Sequence, residues 1–293
     1  MNSYESLRRF TLLLSRVKGI GPKTFIDLID RFGSIEKVYE EFKYESIDKV
    51  IKKNMDNFDF DIDNDLVFKL LKDKDIQYVC LWEDNYPSNL KNIYDPPIVL
   101  YFKGNYDFAR LRQSISIIGS RDYTSYGLKY TEKFTYDLVS SGYSIVSGMA
   151  LGIDRIAHEA AIEAEGYTVA VLPGSVDKPY PLVNSEIYKG ILDNDGLIIS
   201  EFAPDVKLVP GLFPRRNRIT AGISLGTLIV EASENSGSLI TASMALECNR
   251  EVFAIPGNLN NKMSNGTNKL IKNGQAKLVQ RANDILEELR YFR

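Results

Sequence analysis

The chain has 293 residues, 44% of them hydrophobic and 26% charged, a composition typical of a globular protein with one or two domains. Its formal net charge of −3 excludes binding of nucleic acid through bulk positive charge. Two cysteines and one histidine exclude a disulfide framework and a four-cysteine zinc site, and no apolar run is long enough to span a membrane. The opening residues, MNSYESLRRF, lack the apolar core of a signal peptide, so the sequence predicts a cytoplasmic protein.

The charge is unevenly distributed along the chain. Residues 56–107 carry −6, residues 111–206 also carry −6, and residues 207–293 carry +5, from 12 basic and 7 acidic side chains. A basic C-terminal third in an acidic protein indicates a local surface that faces a polyanion.

The first ~75 residues show the periodicity of helices. Apolar residues between Leu7 and Leu14, and again between Phe25 and Phe32, recur at helical spacing. The turn at 17–22 places a proline at the start of the second helix. Gly33 is expected to end that helix, and Ser34 is expected to cap a third.

An acidic segment, residues 54–65, resembles the start of a calcium loop because Asp59, Asp61, Asp63 and Asp65 alternate. The match fails at position six, where Asn64 stands for glycine, and at position twelve, where Leu70 stands for glutamate. An exposed linker is therefore the preferred interpretation, and a calcium site is the alternative.

From about residue 98, short β-rich runs alternate with helical segments, which predicts a mostly parallel sheet with helices on both faces. The predicted helices lie near 125–140, 153–164, 184–192, 215–224 and 239–248. The predicted strands are 99–102, 114–118, 144–146, 168–172, 197–200, 227–231 and 252–255. Ligands of such sheets bind beyond the carboxyl ends of the strands, so the strand-to-helix turns are the candidate site.

Small and basic residues are concentrated at these turns. Gly119, Ser120 and Arg121 could approach and grip a phosphate, or form a plain turn with a solvated arginine. The turn 147–152 precedes a helix start, where free N–H groups bind anions. Helix capping explains Asp154 in this turn. His158 is better explained as a structural imidazole than as a catalytic one. The later turn that contains Lys178 and Tyr180 could meet a phosphate and a base, or could be a loop rigidified by prolines.

Three arginines, Arg215, Arg216 and Arg218, stand at the predicted start of a helix, where the helix dipole disfavours positive charge. An anionic partner would relieve this cost, although solvated arginines remain the alternative. We therefore expect that replacing Arg216 and Arg218 by glutamate abolishes binding and leaves the fold intact.

Several long motifs follow one another in order: GSR (119–121), SGMALGID (147–154), YPLVN (180–184), FPRRNRITAGIS (213–224), VEASENSGSLITASMA (230–245) and REVFAIPG (250–257). Together they resemble the DprA/Smf DNA-processing protein family, densely over residues ~80–280 and loosely over the N-terminal helices. The family often continues into a winged-helix domain, which is expected to be absent because this chain ends at Arg293.

The resemblance implies an extended Rossmann-like domain, residues 76–293, after a helical SAM-like or helix-hairpin-helix domain, residues 1–75. It implies a protein that protects single-stranded DNA and helps to load the RecA recombinase in natural transformation, as a homodimer, without catalysis, cofactor or metal. The expected DNA-binding residues are Gly119, Ser120, Arg121, Ser147, Gly148, Met149, Gly152, Lys178, Arg215, Arg216, Asn217, Arg218, Gly237 and Ser238. Whether the hairpin at 17–22 holds a phosphate or only contacts protein stays open.

A nucleotide-processing enzyme of the phosphoribohydrolase type is the alternative. Such enzymes carry a PGGxGTxxE motif, whereas this chain has G-T-x-x-x-E from Gly226 to Glu231 and lacks the preceding Pro-Gly-Gly. Because side chains alternate along a strand, the extra residue turns Glu231 to the opposite face. A catalytic role for Glu231 is therefore not expected.

Overall fold

The computed structural model describes residues 3–43 and 65–290. The acidic segment 54–65, which was interpreted as a linker or a calcium site, lies outside the described residues except for Asp65. The Asp65 carboxylate accepts a hydrogen bond of 2.8 Å from the Val67 amide at a helix start. Every helix in the described ranges is too short or too polar to span a membrane.

Within residues 3–43 and 65–76, four helices precede the sheet: α1 (Ser3–Arg16), α2 (Pro22–Phe32), α3 (Ile35–Lys43) and α4 (Leu66–Asp73). The sequence signals for the second and third are confirmed. Gly33 adopts a left-handed φ of 89° and its amide bonds to Ile29 O, while the Ser34 hydroxyl accepts from the Lys37 amide at 3.4 Å. Left-handed backbone favours glycine, which explains why α2 ends there.

Nine strands form one sheet in the order β1-β2-β6-β5-β4-β3-β7-β8-β9. Strands β1 and β2 pair antiparallel, as do β2 and β6, and all other neighbours are parallel. The strands are β1 (Gln77–Cys80), β2 (Val99–Gly104), β3 (Ser114–Ile118), β4 (Ser144–Ser147), β5 (Thr168–Val171), β6 (Leu197–Ser200), β7 (Gly226–Ile229), β8 (Glu251–Ala254) and β9 (Lys277–Leu278).

Nine helices accompany the strands. They are α5 (Ser88–Lys91), α6 (Phe108–Arg112), α7 (Ser125–Ser140), α8 (Ile153–Glu163), α9 (Ser185–Asp193), α10 (Leu212–Ile223), α11 (Gly237–Glu247), α12 (Asn265–Lys272) and α13 (Ala282–Leu289). The seven predicted strands and five predicted helices of this part are present, with ends shifted by at most three residues. Among the described strands, the two edge strands β1 and β9 were not predicted.

Both faces of the sheet are covered, as the alternation of side chains along its strands requires. Ile115 and Ile117 of β3 pack against α7, α8 and α13, whereas Ile118 packs against α10, α11 and α12 on the other face. The N-terminal helices α1 to α4 share a third core with β1, β2, β5 and β6. The predicted class, a mostly parallel Rossmann-like sheet preceded by helices, is confirmed.

The strand order reverses beside β3. From β3 the chain moves through β4, β5 and β6 on one side and later returns to add β7, β8 and β9 on the other. The loops after β3 and β7 must therefore diverge, which opens a crevice at the carboxyl edge of the sheet.

Candidate anion-binding cleft

A cleft of about 440 Å³ lies at this reversal point. The loops after β3, β4 and β7 and the first two turns of α10 line it. Its lining residues are Ile118, Gly119, Ser120, Arg121, Asp122, Gly148, Ala150, Asp154, Phe213, Pro214, Arg216, Asn217, Thr220, Ser233, Ser236, Gly237, Ser238, Ile240 and Thr241.

Two helices begin at the wall of the cleft. Gly152 caps α8 with a φ of 80°, and a Cβ there would collide with the backbone of Ser120 and Arg121, so the close approach of the two loops requires glycine. Ser236 caps α11 by accepting from the Ser238 amide at 3.3 Å. The amino ends of helices favour anions, and the start of α11 lines the cavity with Ser236, Gly237 and Ser238, whereas α8 contributes Asp154 of its first turn.

Arg216 is the buried cation of the cleft, with 7% of its surface exposed. Its guanidinium donates to the carbonyls of Gly148 and Val171 and to Asn217 Oδ1. A Cβ on Gly148 would overlap this guanidinium, so glycine is required where the arginine crosses the loop. Burial lowers the pKa of Arg216, the Asp154 carboxylate opposes this, and the charge of Arg121 lowers it further.

Asp154 balances the charge of Arg216 at the floor of the cleft. Its carboxylate accepts a hydrogen bond of 3.1 Å from the Gly148 amide, and burial raises its pKa while Arg216 and backbone amides counteract the rise. The sequence interpretation of Asp154 as the helix cap was wrong, since Gly152 occupies that position and Asp154 lies in the first turn. Asp154 therefore belongs to the cleft.

Arg121 is the exposed cation of the cleft. Within residues 3–43 and 65–290 its guanidinium has no hydrogen bond or ion pair. Ser120 beside it is 7% exposed, and its hydroxyl accepts from the Asp122 amide at 3.2 Å. Arg121 can therefore take up a phosphate without breaking an internal contact.

Of the predicted site residues, eight line the cleft: Gly119, Ser120, Arg121, Gly148, Arg216, Asn217, Gly237 and Ser238. Sequence reasoning omitted Phe213, Ser233 and Thr241, although the quoted motifs contain all three. The signal that could have found the hydroxyls of Ser233 and Thr241 is their place on either side of the predicted start of the helix near 239–248.

The other six predicted residues lie outside the lining. The Ser147 hydroxyl donates to Ile117 O at 2.7 Å, and the Met149 side chain is fully buried. Gly152 acts as the cap of α8, and Lys178 is exposed away from the cleft wall. Arg215 and Arg218 are held elsewhere by carboxylates of the chain itself.

The carboxylate of Glu201, just after β6, is the partner of these two arginines. It accepts from Arg218 Nη2 at 2.6 Å and from Arg215 Nη2 at 3.1 Å, and Arg218 Nε also bonds to Asp95 at 3.0 Å. Burial raises the pKa of Glu201, and the two arginines counteract this. The positive charge of Arg215 and Arg218 at the start of α10 is thus balanced within the chain, and an anionic partner at these two arginines stays a prediction.

The burial of Arg216 and Arg218 also corrects the expectation that glutamates at both positions leave the fold intact. Their side chains lie within a packed interior, with 7% exposure for Arg216 as a residue and 11% for the Arg218 side chain. A glutamate at position 216 would be buried next to Asp154, and a glutamate at position 218 would be buried next to Glu201. Either unpaired carboxylate would greatly lower the free energy of unfolding.

Glu231 and His158, the residues weighed for catalysis, do not line the cleft. The Glu231 carboxylate accepts from the Thr124 amide at 2.9 Å and from the Thr124 hydroxyl at 2.7 Å, next to the start of α7. His158 Nδ1 lies 2.8 Å from the Thr168 hydroxyl, and burial lowers its pKa to about 3, with a further contribution from Arg216. His158 therefore has a structural partner, as preferred from the sequence, and the Glu231 carboxylate is held by Thr124.

The fold and the cleft define a doubly wound α/β protein whose loops form a cleft at its reversal point. The family model for DNA recombination-mediator protein A matches residues 77–290, and the chain belongs to this family. It is 40% identical to DNA processing protein DprA of Bacillus subtilis over 223 residues, which cover 76% of this chain and 74% of that protein.

Solved structures agree with this assignment. The chain is similar to DNA processing protein A from Streptococcus pneumoniae, with a TM-score of 0.77 and 31% identity over 97% of each chain. It is also similar to DNA processing protein A from Helicobacter pylori, described for its single-stranded DNA binding mode, with a TM-score of 0.64 and 33% identity over 74% of this chain and 97% of that one.

Proposed function

We propose that the protein binds single-stranded DNA in the cleft and acts, without catalysis, in the recombination that accompanies natural transformation. The observation that carries the proposal is the exposed Arg121, which has no hydrogen bond or ion pair within the described residues, beside the start of α11 in one cavity. Such groups hold phosphates without reading bases. The similarity to the H. pylori protein, which is described as binding single-stranded DNA, supports the choice of polyanion.

The expected contacts differ in strength. Arg121 provides the mobile charge, Ser120 and Ser238 provide hydroxyls, and Gly237 allows the backbone to approach a phosphate oxygen. Arg216 lies too deep to follow a flexible strand, and it shapes the floor on which the phosphate is placed. An acidic protein is better suited to hold a few phosphates in this way than to cover a long stretch of duplex.

A phosphoribohydrolase-type reaction is disfavoured by Glu231, whose carboxylate bonds to Thr124 and does not line the cleft. A general acid or base must reach the reacting atom within hydrogen-bond distance. Release of free base from AMP, followed by chromatography, tests this part of the proposal, because turnover would contradict it.

The wider role rests on the family. We propose that the protein protects incoming strands in the cytoplasm, works as a homodimer through the Rossmann-like domain, and helps to load RecA. The proposed division at residue 75/76 falls between α4 and β1. Loading is tested by adding the protein to RecA on DNA already coated with single-strand-binding protein. An unchanged rate of RecA filament formation would contradict it.

The test of the binding site is the variant Arg121→Ala. Its affinity for single-stranded DNA is expected to fall, and the slope of log affinity against log salt is expected to decrease in magnitude by about 0.7, the loss of one phosphate contact. Lys129→Ala removes an exposed cation of α7 outside the cleft and is the matched control. Equal behaviour of the two variants would contradict the site.

A further inference from the structure

Two loops join the cleft to the N-terminal helices: the β5 loop (172–181) and the β6 loop (201–211). Phe213 stands in the first turn of α10, directly after the β6 loop, and lines the cleft. Tyr180 of the β5 loop packs against the Phe213 ring edge to face, with centroids 5.4 Å apart. The two loops therefore meet at one wall of the cleft, and the contacts that fix the loops also fix that wall.

The β6 loop is held by the carboxyl end of α1. Arg16, the last residue of α1, donates two hydrogen bonds to Asp205, from Nη1 to Oδ1 at 2.9 Å and from Nη2 to Oδ2 at 2.5 Å. The hydrogen bond from Arg16 lowers the pKa of Asp205, although burial opposes this. Two parallel N–H donors fix the direction of a carboxylate as well as its distance. Arg16 therefore sets both the place and the orientation of the middle of the β6 loop.

The β5 loop is held by the carboxyl end of α4. Lys74, the residue that follows α4, donates to Asp177 Oδ2 at 2.6 Å, and the Ser175 hydroxyl donates to the other oxygen of the same carboxylate. The Asp177 side chain is only 16% exposed. Lys103 of β2 donates from Nζ to Lys74 O at 3.0 Å. The ion pair therefore connects the β5 loop to a point that is itself fixed to the sheet.

Both helices are anchored to the sheet over their length. Leu13 and Leu14 of α1 and Leu71 of α4 are buried in the core that the helices share with β1, β2, β5 and β6. Trp82, just after β1, donates from Nε1 to Thr11 Oγ1 of α1 at 2.9 Å. Supporting contacts hold a site in place when they start from rigid elements of the fold. The N-terminal helices meet this condition, because packing fixes them before the two ion pairs reach the loops.

We propose that Asp177 and Asp205 are positioning residues for DNA binding, through which the N-terminal helices hold the wall of the cleft in place. This inference rests on the proposed function, since the cleft is the site that is held. Neither carboxylate lines the cleft, and the negative charge of each repels a DNA strand. Their contribution to binding is therefore indirect, and it has the opposite sign to the effect of their charge.

The test uses this difference in sign. Asp177→Asn and Asp205→Asn each remove a negative charge, so direct electrostatics predicts equal or tighter binding of single-stranded DNA. Positioning predicts binding weakened by about fivefold in each variant. It also predicts an unchanged slope of log affinity against log salt, because no phosphate contact is lost. The measurement is fluorescence anisotropy of a labelled thymidine oligonucleotide at several salt concentrations.

Asp107→Asn is the matched control for both variants. Asp107 pairs with Arg110 at 3.2 Å, and its side chain is 33% exposed, against 36% for Asp205. It follows β2, which runs antiparallel to β6, so it lies at the edge of the sheet opposite the cleft. Its replacement is expected to leave the affinity for single-stranded DNA unchanged.

A charge swap separates positioning from a general loss of structure. Asp205→Arg is expected to weaken binding although it adds positive charge. Arg16→Asp/Asp205→Arg keeps the net charge of the wild type and should return the affinity to within about twofold of the wild-type value, because the ion pair is restored. Urea denaturation shows which variants are folded, and the asparagine variants decide the question if the charge reversal does not fold.

The outcomes distinguish the inference from the proposed function. Unchanged or tighter binding by both asparagine variants, or no recovery in a folded swapped variant, overturns the inference. The proposed function stands in that case if the wild-type protein binds the strand and Arg121→Ala weakens it. Absence of binding by the wild-type protein overturns both.

Discussion

The inner and outer sides of α10 carry neighbouring arginines with different surroundings. On the inner side, Arg216 is buried among loop carbonyls opposite Asp154, whereas on the outer side Arg215 and Arg218 share Glu201. Residues three apart lie on one side of a helix, and the next residue is turned away by about 100°. A basic run in a sequence is therefore not one basic patch in the fold.

The largest expected effect is on the inner side. Arg216→Ala leaves the carbonyls of Gly148 and Val171 without their side-chain donor and Asp154 without its balancing charge. We expect the free energy of unfolding to fall by at least about 3 kcal/mol, measured by urea denaturation. The control Arg215→Ala, whose side chain is 55% exposed, should lose less than about 1 kcal/mol. Equal losses would remove the distinction between the two sides.

On the outer side, Glu201→Ala is expected to cost about 3 kcal/mol in the same measurement, because it leaves Arg218 buried with one remaining carboxylate. Asp95→Ala is the control, since the Asp95 side chain is 44% exposed and water replaces much of its contact. A cost for Asp95→Ala as large as that for Glu201→Ala would show that burial does not decide the strength of this cluster.

The pH dependence of stability tests the environment of His158. Its pKa of about 3 lies below the ordinary 6.5, so between these values the unfolded chain binds a proton that the folded protein excludes. Stability is therefore complete above pH 6.5 and falls as the pH decreases, by up to about 1.4 kcal/mol per unit. His158→Asn, which keeps a polar group near Thr168, should remove this slope between pH 6.5 and 5. An unchanged slope of stability against pH in His158→Asn would contradict the lowered pKa of His158.

The smallest expected effect concerns DNA binding by the outer side. Arg215→Ala should change the salt dependence of affinity for single-stranded DNA by clearly less than about 0.7, the value expected for Arg121→Ala. The reason is that Arg215 is already paired with Glu201, whereas Arg121 has no partner in the described part of the chain. Equal changes in slope would mean that the strand also follows the outer side of α10.

Much of the fold could be predicted from local pattern. The runs at 114–118 and 197–200 match β3 and β6 residue for residue, because buried parallel strands are short, continuous and apolar. The turn at Gly33 was equally clear. The edge strand β9 was missed because it has only two residues, and β1 was missed because it lies before residue 98, from where the sequence predicts alternating strands and helices.

The candidate site was predictable in part. The turns that gather at the carboxyl edge of a parallel sheet follow from alternation of strands and helices, which placed Gly119, Arg121 and Gly237 at the cleft. The outward position of Arg218 and the inward position of Asp154 could not be foreseen, because Arg218 is held by Glu201 and Asp95 and Asp154 is balanced by Arg216, contacts that only the folded chain brings together.

By itself, the amino-acid sequence determined the class of fold, the family and the edge of the sheet where the cleft lies, since strand periodicity, glycine turns and long motifs are local properties. Only the tertiary structure decided which arginine has no partner within the described residues, which is buried and which is paired. The physical reason is that helical geometry sets the angles between side chains of α10, while its packing against the sheet and its contact with Glu201 set the rotation of the whole helix.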